Sequence, residues 1–173
     1  MAHALVIVPL AYRAMQSEQL AADKAFGWDA SAGLTTAVCC GFLWDIIYEV
    51  IAFNGIGFIA HGVACFSVFI LGYTPFLAYY GVRCLMFEAS TPFLNIHWFL
   101  LKSGRGNSLA ASINGVFLLS SFFLARLVYG SYVSYNFFQT MLSVSDQVPF
   151  SYIVIYGGSN LLLNALNWFC SAG

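Results

Sequence analysis

From Ser108 to Tyr129 the chain runs 22 residues with a single charged side chain, Arg126, and from Pro149 to Phe169 it runs 21 residues with none. Runs of that length match the ~20 mostly apolar residues that a helix needs to cross a bilayer. The rest of the sequence is of the same kind. Lys and Arg number 6, Asp and Glu 7, and 61% of the residues are apolar. A soluble domain would carry roughly 25% charged residues. A globule of 173 residues cannot bury so much apolar surface and keep a wettable exterior. The pattern therefore excludes a soluble domain and a disordered chain. A net charge of −1 excludes a basic nucleic-acid binder.

The apolar runs do not alternate as the strands of an outer-membrane barrel do. They predict an all-α integral membrane protein, a bundle of about six transmembrane helices folded as one domain. The segments are about Ala2 to Met15, Ser31 to Phe53, Ile56 to Leu71, Phe76 to Ser90, Ser108 to Tyr129 and Pro149 to Phe169. Asn54-Gly55 is a turn signal. Pro92 interrupts the fourth segment, and Phe93 to Leu101 reads as a kinked extension or a short re-entrant piece. Gly130 to Gln147, aromatic and mildly polar, suits an interfacial helix or loop. Lys102 and Arg105 are placed at one membrane end and Arg13, Lys24 and Arg126 at the other, too even a count to orient the chain. Cys39, Cys40, Cys65, Cys84 and Cys170 sit in apolar runs without CxxC spacing and read as packing residues.

Ionisable groups at membrane depth cost at least ~2.5 kcal/mol each and usually face the interior of the protein. Asp45 and Glu49 lie one turn apart on one helix face. Asp45 suits either a pairing with an arginine or a proton or substrate site. His61 shares a face with Gly57, Ala64 and Cys65, small residues that mark close helix approach. It reads as a hydrogen-bonded structural histidine or as a catalytic base or nucleophile. Tyr80, Gly81, Cys84, Glu88 and Thr91 form one stripe, with Arg83 a residue aside. A buried Glu88 needs a partner or a proton, and Arg83, Asp45 and His61 are the candidate partners. Asn160, Asn164 and Asn167 form an amide ladder that either bonds between helices or lines a polar cavity. Tyr80, Arg83, Asn95, Asn160, Asn164 and Asn167 are the candidate cavity-lining residues, and His61, Asp45 and Glu88 the candidate catalytic ones.

Other chemistries lack their residues. Three histidines, His3, His61 and His97, are too few for a membrane di-iron site, and no HExxH, P-loop, GxGxxG or GxSxG occurs. No metal site is expected. Lys24 and Lys102 read as loop residues, which leaves no lysine for a retinal Schiff base within the bundle.

The stretch Phe87-Glu88-Ala89-Ser90-Thr91-Pro92-Phe93-Leu94-Asn95-Ile96-His97-Trp98 resembles the signature of the TLC-domain family, which includes the ceramide synthases, the translocating-chain-associating membrane proteins and smaller lipid-homeostasis members. His3-Ala4-Leu5, Trp44-Asp45, Ala60-His61-Gly62 and Asn167-Trp168-Phe169 agree with it in order. The match is best to the smaller, non-ceramide-synthase branch. The resemblance implies a single TLC-like transmembrane domain over residues 1–173, lacking the N-terminal helix of the full family pattern. It implies a multi-pass protein of the endoplasmic reticulum or another endomembrane. In the ceramide synthases, paired histidines and a pair of acidic residues are associated with acyl transfer from acyl-CoA. Here His61 stands alone between Ala60 and Gly62, and no Asp-Asp pair occurs, which weighs against ceramide synthase activity. Two functions follow from the resemblance. One is binding or sensing of lipid that influences membrane lipid composition, with membrane lipids as partners and no cofactor. The other is an acyl-CoA-dependent acyltransferase on a lipid amine or hydroxyl, using His61. Oligomeric partners are left open.

Overall fold

The computed structural model describes residues 2–53 and 55–172, and the side chains of residues 3–53 and 55–168. Asn54, Phe169 and Cys170, each invoked in the sequence reading, therefore lie wholly or in their side chains outside the described residues. Every regular element among the described residues is helical. Helix α1 (Ala2–Ala14) leads through a polar loop containing the short α2 (Glu18–Ala22) to α3 (Ala30–Cys39) and α4 (Phe42–Ala52). Helix α5 (Ile56–Leu71) follows, then α6 (Ala78–Cys84), a 3₁₀ segment (Leu85–Ser90) and α7 (Thr91–Lys102). Helix α8 (Leu109–Phe122) continues through a π-helical segment (Phe123–Val128) into α9 (Tyr129–Ser143), and α10 (Phe150–Ala172) closes the chain.

By length and composition, two runs among the described residues can cross a membrane, Ala30–Ala52 and Leu109–Ser143. Outward faces are apolar in these runs and in α5 and α10 as well. Ile51, Ile56, Leu109 and Phe150 are each more than 70% exposed, which a water-soluble surface does not tolerate over many helices together. The stretch 130–147 departs from the interfacial helix or loop expected of it. Its first fourteen residues prolong the preceding helix, and Gly130, Val133, Ser134, Phe137 and Met141 are buried. These residues recur at helical spacing, so the mild polarity of the stretch belongs to its other face.

Local signals set the ends. Asp29 caps α3, its Oδ1 accepting from Ala32 N–H at 2.8 Å and from the Ser31 hydroxyl at 2.7 Å. Burial pushes the Asp29 carboxyl up, but hydrogen bonds from Ser17, Ser31 and Ala32 outweigh it and hold the group below the usual carboxylate range. The cap thus contributes stability above the unfolded-state value, and that contribution is lost as pH falls through the lower folded-state value. Asp29→Ala should cost about 1 kcal/mol at neutral pH. In denaturation curves of both proteins, the difference should shrink as the pH is lowered below about 4. Helix α4 ends on Phe53 in the left-handed region, and Gly55 follows at φ 141°, a conformation that glycine adopts without penalty.

Helices α4 and α5 pack closely because Gly62 lets them. A Cβ at Gly62 would lie 2.8 Å from Ile46 Cγ1. Gly62→Ile should destabilise by about 1–3 kcal/mol through overpacking. Ile46→Ala on the same background should recover part of that loss in a thermal-melt assay. The core of this half joins Ile7, Ala11, Cys39, Phe42, Cys65, Phe69 and Leu85. A second apolar cluster gathers Phe76, Tyr80, Phe137, Met141 and Tyr156 between α6, α9 and α10. Cys39, Cys40, Cys65 and Cys84 are free thiols.

Candidate functional site

Pro92 shapes the site. It has no N–H to give to the carbonyl four residues back, which is that of Glu88. The Thr91 N–H takes that carbonyl instead, at three-residue spacing, and residues 85–90 wind tightly as a 3₁₀ turn. Facing it is the wide π-helical segment that carries Arg126. Such irregular turns inside long helices are frequent at functional sites. The two together bring Glu88 and Arg126, 38 positions apart in sequence, to 3.7 Å.

Both side chains are largely buried, at 13% and 14% exposure. Glu88 Oε2 accepts the Thr91 hydroxyl at 2.6 Å. Its Oε1 lies 3.7 Å from Arg126 Nη2 and 3.7 Å from His61 Nε2. Arg126 Nε donates to Phe87 O at 3.0 Å and to Ser90 Oγ at 3.1 Å. Its Nη1 donates to Asn167 Oδ1 at 3.2 Å, and its Nη2 to Thr91 Oγ1 at 3.3 Å. The guanidinium is thus fixed in place by three other helical segments. His61, 30% exposed, also has Cys65 Sγ at 3.6 Å from Nε2. The thiol and the carboxylate meet the same ring nitrogen, so they do not form the relay in which base and orienting acid use opposite nitrogens.

A second histidine lies next to the first. His3 and His61 both pack edge-on to Phe42, with ring centroids at 4.8 and 6.4 Å. His3 Nε2 donates to Val38 O at 3.2 Å, and its Nδ1 is 3.7 Å from Asp45 Oδ2. Gly41 makes room for this ring, since a Cβ there would lie 3.0 Å from His3 Nε2. The Asp45 carboxylate is half exposed. Two acid–imidazole pairs therefore flank one phenyl ring, one of them interior and the other at the surface.

The TLC domain model matches residues 1–171 of the chain. The chain belongs to the TLC domain family. An uncharacterized TLC domain-containing protein of Schizosaccharomyces pombe is 36% identical over 168 residues, 95% of this chain and 58% of that protein. Topoisomerase I damage affected protein 4 of Saccharomyces cerevisiae is 31% identical over 151 residues, 82% of this chain and 54% of its own length. TLC domain-containing protein 4-B of Xenopus laevis is 33% identical, over 72% of this chain and 50% of that protein. The chain spans about half the length of these curated relatives. No solved structure matches it. TLC domains are membrane domains, so the apolar outer faces of this one meet lipid.

The TLC domain distributes the residues singled out from the sequence over several places. Glu88 and Asn167 contact Arg126, and His61 lies beside Glu88. Asn164 and Asn160 sit further back along α10, where Asn164 Nδ2 donates to Ser134 Oγ at 2.8 Å and to Asn160 Oδ1 at 3.0 Å. Tyr80 lies in the second apolar cluster, its hydroxyl 2.7 Å from Thr140 Oγ1. Asn95 bonds back along its own helix to Thr91 O at 2.7 Å. Asp45 pairs with His3, where an arginine was the expected partner. Arg83 is apart from Glu88, stacked on Tyr79 with Cζ 3.4 Å from the ring centroid. Arg126, assigned from sequence to a membrane end, is instead the interior cation of the site. A lone arginine within an apolar run was the signal for it, because hydrocarbon leaves such a charge only an interior partner or a path to the interface.

Proposed function

We propose that this TLC domain is a multi-pass protein of the endoplasmic reticulum or another endomembrane, with about six spanning helices in one domain. It binds lipid at the Glu88–His61–Arg126 site and through that binding influences membrane lipid composition. One observation carries this reading. Glu88 Oε1 stands 3.7 Å from both His61 Nε2 and Arg126 Nη2, beyond direct hydrogen-bond reach and within the span that one bridging oxygen closes. A lipid hydroxyl there donates to Glu88 and accepts from Arg126 or His61. The family's link to membrane lipid homeostasis supports the choice of lipid. An open groove of about 400 Å³ between α5 and α10 is lined by Ile59, Ala60, Val63, Ala64 and Leu162. It lies one residue along α5 from His61 and Cys65, and it suits an acyl chain. No cofactor is needed, nucleic acid has no part, and membrane lipids are the partners.

The second reading is acyl transfer from acyl-CoA to a lipid amine or hydroxyl. His61 beside an acidic group favours it, with His61 as base or transient acyl carrier and Glu88 orienting it. Asp45 enters this reading only through His3. Membranes holding wild type or His61→Ala, supplied with labelled acyl-CoA and a panel of amine and hydroxyl lipids, separate the two. The binding reading expects no new acylated product from either protein. A product formed by wild type and absent with His61→Ala would replace binding with catalysis.

A further inference from the structure

The TLC domain has a second charged locus, at the polar loop and away from the Glu88 site. Arg83 lies on Tyr79, and Lys24 Nζ stands 5.6 Å from the centroid of the same ring. The two cations are no further apart than the sum of their distances to that centroid, about one Debye length at physiological salt. No salt bridge engages either of them among the described residues. Asp23, next to Lys24, is exposed, and its carboxylate is engaged by its own turn, Oδ1 accepting from Ala25 N–H and Phe26 N–H at 2.9 Å. Arg83 donates from Nη1 to Tyr79 O at 2.8 Å and from Nη2 to Met15 O at 3.4 Å. These bonds use two of the five N–H groups of a guanidinium.

We infer that Lys24 and Arg83, both close to the Tyr79 ring, bind the phosphate of an anionic phospholipid headgroup at the membrane surface. A fixed arginine with spare donors and a mobile lysine suit a phosphate, one by directed hydrogen bonds and the other as a point charge. The place selects the source of that phosphate. The two cations stand where the polar loop, Gln16 to Asp29, meets the ends of α1 and α6. Trp28 in the same loop is exposed and anchored by its indole N–H to Gly72 O at 3.2 Å, as aromatic residues at headgroup level are. The inference rests only on the membrane placement of the chain and stands apart from the Glu88 site.

The test uses the full chain in nanodiscs of phosphatidylcholine with 20% phosphatidic acid, released into native mass spectrometry. Wild type should retain phosphatidic acid over phosphatidylcholine. Lys24→Gln, an exposed change that leaves the fold intact, should lower that preference at least 5-fold. Arg83→Gln should abolish it, Arg83→Lys should restore part of it, and Arg105→Gln should leave it unchanged. Inorganic phosphate or coenzyme A at millimolar concentration should not displace the lipid. Equal retention of the two lipids by wild type, or an unchanged preference in Lys24→Gln, would overturn the inference. Displacement by inorganic phosphate or coenzyme A would overturn the lipid source. Loss of lipid in His61→Ala with the Lys24 effect intact would separate this site from the interior one.

Discussion

Arg126→Met should be the most damaging single substitution in this TLC domain, lowering stability by about 3–5 kcal/mol. Methionine fills similar volume, so the loss comes from charge. Glu88 would keep the Thr91 hydroxyl at 2.6 Å but lose its only arginine, and a carboxylate at 13% exposure has little water to turn to. Phe87 O and Asn167 Oδ1 would lose their donors in the same step. Adding Glu88→Gln should recover much of the deficit, since removing both charges of a buried pair costs far less than removing one. Thermal melts of the wild type, both single variants and the double variant in one mild detergent give the coupling directly. Additive losses would mean that the pair does not interact.

His61→Ala should act the other way, with little effect on stability and a large one on the bound lipid. His61 Nε2 stands 3.7 Å from Glu88 Oε1, too far for a direct hydrogen bond, and the carboxylate keeps Arg126 and Thr91 when the histidine is gone. Stability should fall by less than about 1 kcal/mol, because no direct hydrogen bond to Glu88 is lost. Lipid retained through detergent extraction should fall at least tenfold, about 1.4 kcal/mol in binding free energy. Cys65→Ser, which changes only the 3.6 Å neighbour of the same nitrogen, should leave retention close to wild type. A His61→Ala protein that keeps its lipid would remove the histidine from the site.

Helix content and the apolar exterior could be read from sequence because they follow from local periodicity and composition, and the family because the Phe87 to Trp98 stretch resembles its signature. The Glu88–His61 neighbourhood was legible in part. Intramembrane charges must face inward, and His61 shares its helix face with small residues. Arg126 was misplaced because charge counting treats every cation as an end marker. Its position depends on a π-helical turn that no local pattern announces. The continuation of the helix past Gly130 was hidden for a related reason. The buried residues Val133, Ser134, Phe137 and Met141 are interleaved with exposed Tyr132 and Tyr135, and the average over both faces is mildly polar. Arg83 and Asp45 each sit near the stripe that suggested them, but their partners, Tyr79 and His3, come from packing between segments distant in the chain or from a ring stack along one turn.

The central claim is that a lipid enters the protein interior at Glu88 and His61. A photoactivatable lipid with its reactive group near the headgroup, incorporated into membranes with the full chain, tests it most directly when the cross-linked residues are mapped by mass spectrometry. The account predicts adducts on His61, Cys65 and the 85–91 turn, lost in His61→Ala. Adducts confined to outward residues such as Ile51, Leu109 and Val116, and equal in both proteins, would contradict it.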